Sequence, residues 1–82
     1  MEVNPYKQLG LNIKVLRTRR ELTQEQLAAK ADVERSYMGS IERGERNISV
    51  VTLLRLAKAL KCEPGELLAD VKVPARRNSK SK

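Results

Sequence analysis

Eighty-two residues carrying a formal charge of +7, with a pI near 10.0, make one small domain whose charge suits a polyanionic partner. A single cysteine, Cys62, excludes an internal disulfide, and with no histidine a structural zinc site cannot be assembled. No apolar run approaches the roughly 20 residues that span a bilayer, and the opening MEVNPYKQLG lacks a basic start followed by an apolar core, so a cytoplasmic protein is expected.

Phenylalanine and tryptophan are absent and no strand-like alternation persists, whereas helical spacing recurs. Tyr6, Leu9, Ile13 and Leu16 step by three, four and three onto one face of a first helix, which has Pro5 in its first turn and fades near Arg20. Thr23-Gln24-Glu25-Gln26 opens a second helix as a capping box, and Leu27, Ala28 and Ala31 form its inner face. Asp32 falls where a tight turn asks for left-handed geometry, which aspartate tolerates, and Val33 plugs the corner. A third helix is predicted from about Glu34 to Arg43, with Tyr37, Met38 and Ile41 as its apolar side. Glu34 is a poor cap for it, and Gly44 supplies the positive φ that ends it.

Ser49 caps a fourth helix from Val50 to Leu60, whose stripe of Leu53, Leu56, Ala57 and Leu60 faces the core. Glu63 and Pro64 start a fifth, with Leu67, Leu68 and Val71 in it or at its end. From Pro74 onward the chain has nothing to bury, so a domain over residues 1–72 is expected to carry a disordered basic tail over 73–82. Lys72, Arg76, Arg77, Lys80 and Lys82 have no acidic residue among them, and taking these five from +7 leaves about +2 for the folded part that precedes Lys72. Composition is therefore weak support for a nucleic-acid partner, and the pattern must carry the argument. The tail itself reads either as loose affinity for phosphates or as a solubilising end.

Two short helices joined by Ala31-Asp32-Val33 form a helix-turn-helix. The start Thr23-Gln24, the pair Leu27-Ala28 and the ending Ile41-Glu42-Arg43-Gly44 lie within TQEQLAAKADVERSYMGSIERGERN, residues 23–47. That string closely resembles the signature of the lambda-repressor-like (Cro-type, or XRE) helix-turn-helix family, and the resemblance extends over residues 9–69. Within the family, Arg35-Ser36-Tyr37, Ile41-Glu42-Arg43-Gly44 and Arg46-Asn47-Ile48-Ser49 look most like the controller proteins of restriction–modification systems. Asp32 departs from the commoner glycine or asparagine, and Glu34 from the commoner serine or threonine. The resemblance implies an all-α, compact five-helix DNA-binding domain. It also implies a dimeric transcriptional regulator, repressor or activator, on a pseudo-palindromic operator, cytoplasmic and nucleoid-associated when bound. No catalytic residue, cofactor, metal or small-molecule ligand is expected.

A helix of about ten residues is roughly 15 Å long and fits a major groove about 12 Å across. Its N-terminal end addresses base edges while the preceding helix lies over the backbone. Arg35 is the leading candidate base reader, able to donate two bonds to guanine O6 and N7. Ser36 and Ser40 are expected to face outward beside it, and Gly39 reflects either close approach to DNA or simple tolerance. Phosphate contacts are expected from Gln24, Arg43, Arg46 and Asn47, with Arg17 as a further candidate. Tyr37 packs inward, its hydroxyl reaching a phosphate in a second reading, and Glu42 pairs with a nearby arginine.

Val51, Leu54, Leu68 and Val71 remain apolar after the core is assigned. They form a self-complementary homodimer interface, or else close the core of their own monomer. Cys62 is expected in a buried apolar position before the fifth helix. The competing function is a protein-interaction module of the antitoxin or co-activator type. The conjunction of Arg35, Ser36, Arg43, Arg46 and Asn47 around one groove-sized helix favours double-stranded DNA. An enzyme lacks an arguable acid–base pair here, RNA binding lacks exposed aromatic platforms, and a membrane surface lacks its long basic amphipathic helix.

Overall fold

The computed structural model describes residues 4–74, so the greater part of the expected tail, residues 75–82, lies outside the described residues. Among those described the chain is all helical: α1 (Pro5–Arg19), α2 (Gln24–Ala31), α3 (Arg35–Glu42), α4 (Val50–Leu60) and α5 (Pro64–Leu67). Each boundary has a local cause. Asn4 accepts from the backbone N–H of Tyr6 at 2.9 Å ahead of Pro5. Thr23 and Gln26 exchange bonds of 3.0 and 2.8 Å, completing the predicted capping box. Ser49 accepts from the Thr52 N–H at 3.0 Å.

The turn between α2 and α3 closes as the sequence suggests. Asp32 adopts φ 59 and ψ 47, and the Val33 N–H donates to the Ala28 carbonyl at 2.9 Å. α3 is shorter than predicted because Glu34 and Arg43 are its flanking caps, and Gly44 follows at φ 77. α5 is a single turn, with Leu68 as its cap and Val71 beyond it.

The core gathers one apolar stripe from every helix: Leu9 and Ile13, Leu27 with Ala28 and Ala31, Met38 and Ile41, Leu56 with Ala57 and Leu60, and Leu67. Each large side chain buried here contributes about 1.5–3 kcal/mol. Tyr6, predicted to share the α1 stripe, is instead only half-buried and lies at the wall of a surface pocket. Cys62 and Val33 are also half-buried, packed against the core's edge. α2 packs on α3 and α4, and α1 packs on α3. The α1–α3 crossing is close because Gly10 has no side chain: a Cβ there would lie 2.5 Å from the Ile41 carbonyl oxygen and 2.6 Å from that of Glu42.

Polar side chains of α1 and of its C-cap, Arg20, tie the remaining ends. The Asn12 amide donates to the Leu67 and Ala69 carbonyls at 2.8 Å each. Arg20 donates to the Leu60 and Lys61 carbonyls at 2.8 and 3.0 Å, satisfying the exposed end of α4.

Candidate nucleic-acid interface

The surface formed by the start of α2, the outer side of α3 and the loop over residues 44–49 gathers most of the predicted contacts. α3 spans eight residues, about 12 Å at 1.5 Å per residue, and its two ends differ. The C-terminal end is anchored. Glu42, whose side chain is 3% exposed, accepts from Arg17 Nε at 2.6 Å and Nη2 at 3.1 Å, and from Gln24 Nε2 at 2.9 Å. The N-terminal end is open: Glu34, Arg35 and Ser36 are all exposed, and Glu34 makes no capping bond.

This placement sorts the predicted residues. Arg35 and Ser36 stand at the open end, with the Ser36 hydroxyl donating to Glu34 Oε1 at 3.2 Å. The outward-facing position expected for Ser40 is corrected. It is 6% exposed, its hydroxyl donates to the Tyr37 carbonyl at 2.7 Å, and it accepts from Arg46 Nε at 3.3 Å. The loop after α3 folds back over this side and covers it. Gly39 is likewise buried, lying beneath two flexible side chains; a Cβ there would sit 3.2 Å from Arg43 Nη1 and 3.6 Å from Gln24 Oε1.

Tyr37 is half-buried against the core, and the Arg46 guanidinium lies 5.8 Å from the centre of its ring, a cation–π contact. Arg43 and Asn47 are exposed, and Arg43 is paired with Glu45 at 3.0 Å. That hydrogen bond holds the Glu45 carboxyl below the usual carboxylate range and raises the Arg43 guanidinium. Arg17 is corrected as a free phosphate donor. Beyond its two bonds to Glu42, it donates Nη1 to the Leu22 carbonyl at 2.8 Å, so its fork is committed inside the protein. The predicted pairing of Glu42 with an arginine is thereby found, and the partner is Arg17.

Two residues escaped the sequence reading. Thr52 and Arg55 of α4 line a shallow groove with Val33, Glu34, Ser36, Tyr37 and Arg46, alongside the open end of α3. Their three-residue spacing on the polar side of a mostly apolar helix was the available signal.

The second predicted surface begins where the loop over residues 44–49 ends, at Val50. Val51, Leu54 and Leu68 are 57%, 48% and 44% exposed, and Val50 beside them is 70% exposed. Val71 is half-buried and joins Pro5, Tyr6, Leu9 and Leu53 around an apolar pocket of about 180 Å³. No helix among the described residues is long and apolar enough to cross a membrane.

The helix-turn-helix family model HTH_3 matches residues 13–67. Control protein C.SmaI of Serratia marcescens is 45% identical over 60 residues, covering 73% of this chain and 71% of that protein. Control protein C.MunI of a Mycoplasma species is 40% identical over 63 residues, covering 76% and 85%. The crystal structure of the restriction–modification controller protein C.AhdI from Aeromonas hydrophila superposes with a TM-score of 0.74 at 47% identity, covering 76% of this chain and 94% of that one.

Proposed function

Because the chain belongs to the helix-turn-helix family, we propose that it reads a pseudo-palindromic operator as a homodimer and controls the expression of a restriction–modification system. It is a DNA-binding transcriptional regulator and not an enzyme. The finer reading assigns base contact to Arg35 and Ser36 and phosphate contact to Gln24, Arg43, Arg46 and Asn47. Tyr37, Gly39 and Ser40 shape the surface between them. The observation that carries this assignment is the asymmetry of α3, anchored by the buried Glu42 and open at Arg35 and Ser36. An arginine there meets guanine O6 and N7 with two bonds. Such a helix enters the groove N-terminus first.

One copy touches few base pairs, and a two-fold pair places two such helices about 34 Å apart, one turn of the duplex. The exposed Val51, Leu54 and Leu68, beside the pocket that Val71 helps to line, supply a surface for a second copy. The control of a restriction–modification system is supported by the names of the relatives at 45% and 40% identity. In that role the protein works in the cytoplasm, on the nucleoid when bound.

The deciding experiment is selection of bound sites from a random duplex library, followed by titration of the winning site at two salt concentrations. A two-fold symmetric motif with half-sites about one turn apart is the expected result. Binding without enrichment, steeply weakened by salt, would overturn the operator reading.

A further inference from the structure

Glu34 is a negative charge at the open end of the helix that meets a polyanion. We propose that Glu34 is a specificity determinant whose carboxylate accepts a hydrogen bond from the exocyclic N4 amino group of cytosine in the major groove, next to the base read by Arg35. This rests on the reading of α3 as the groove-entering helix.

Three observations leave the carboxylate exposed and uncommitted on the side of α3 read here as facing the duplex. It is exposed and makes no hydrogen bond to the helix N–H groups it precedes, so it is not occupied as a cap. It has no salt bridge among the described residues, although Arg46 and Arg55 share its groove. Its Oε1 accepts from the Ser36 hydroxyl at 3.2 Å, which holds it on the same exposed side as Ser36.

The chemistry then narrows the target. An ionised carboxylate only accepts hydrogen bonds. Phosphates repel it, as do guanine O6 and N7 and thymine O4, which are acceptors too. The major groove offers two donors, the amino groups of cytosine and adenine. The adenine amino group lies between two acceptors, its own N7 and the O4 of the paired thymine, whereas the cytosine amino group has an acceptor, the O6 of the paired guanine, on one side alone. The preference is therefore for cytosine, and it acts largely by excluding other bases.

The test repeats the site selection with Glu34→Ala, Glu34→Ser and Arg35→Ala. Glu34→Ser provides a hydroxyl cap, so a folded variant is secured even if alanine unsettles the helix start. The wild type should enrich cytosine at one position in each half-site. Both Glu34 variants should lose about 5–150-fold of that discrimination and keep every other position, while Arg35→Ala keeps the cytosine and loses a guanine. An unchanged motif in the Glu34 variants, or a uniform gain in affinity for all duplexes, would overturn the proposal and leave the operator reading intact. A wild-type protein that enriches no motif would remove both.

Discussion

Replacing Glu42 by alanine should cost this domain a large part of its stability. The Glu42 side chain is 3% exposed and that of Arg17 14%, and the carboxylate receives two guanidinium bonds and one amide bond. Without it, the Arg17 guanidinium remains largely buried with the Leu22 carbonyl as its remaining acceptor. Breaking a buried pair by removing one partner costs about 3–5 kcal/mol, chiefly because the other charge is left uncompensated. Against a total of about 5–15 kcal/mol for a native protein, a chain of this size is left marginal. The double variant Arg17→Met/Glu42→Leu removes both charges and should recover most of the loss, because apolar replacements of buried pairs are often neutral. Urea unfolding followed by far-UV circular dichroism measures all of these, with comparable m-values required for a valid comparison. A loss below about 1 kcal/mol for Glu42→Ala, the range of exposed ion pairs, would refute the argument.

Gly10→Ala should destabilise by about 1–2 kcal/mol in the same assay. The overlap with two α3 carbonyls outweighs the gain of about 1 kcal/mol in helix propensity, and an equal or more stable variant would contradict that close crossing. Leu54→Glu places a charge on a side chain that is 48% exposed, so it should keep the fold and give monomers by sedimentation; a surviving dimer would move the interface elsewhere. The Glu45 carboxyl is held below its ordinary range in the folded state, so its contribution is present above the unfolded carboxylate pKa and lost as pH falls through the folded one. Glu45→Gln should accordingly be slightly less stable than wild type at neutral pH and equal to it in strong acid, and a gap that widened in acid would contradict the pairing. Burial, helped by Glu66, pushes the Cys62 thiol up. Alkylation by iodoacetamide at neutral pH should therefore be slower in the folded protein than in urea, and equal rates would show an open thiol.

The helices were legible because their signals are local. The capping box at Thr23, the Ser49 cap, the left-handed Asp32 and the glycine at 44 each act within a few residues, and the structure places all four as read. The faces of α3 were legible only in part. Ser40 looks outward on a wheel of α3 alone, and its burial comes from the loop that brings Arg46 back over it. Arg17 looked like a surface cation because its partner lies 25 residues away. The exposure of Arg35 and Ser36 follows from their spacing and is met in the structure, while the place of Arg55 beside the start of α3 depends on how α4 packs. Long-range contacts decide these positions, and periodicity does not report them.

The unequal ends of α3 have a consequence for how such a protein diversifies. The Gly10 crossing and the Arg17–Glu42–Gln24 cluster fix the second half of the helix, while Tyr37 and Met38 pack its inner side onto the core. Glu34, Arg35 and Ser36 project from the first turn without supporting any of it. On the proposed reading of these three positions as base-facing, substitutions there change the preferred DNA sequence and leave the scaffold as it is. On that reading, a lineage built on this arrangement acquires new operators by exchanging a tripeptide, with no compensating change in the interior.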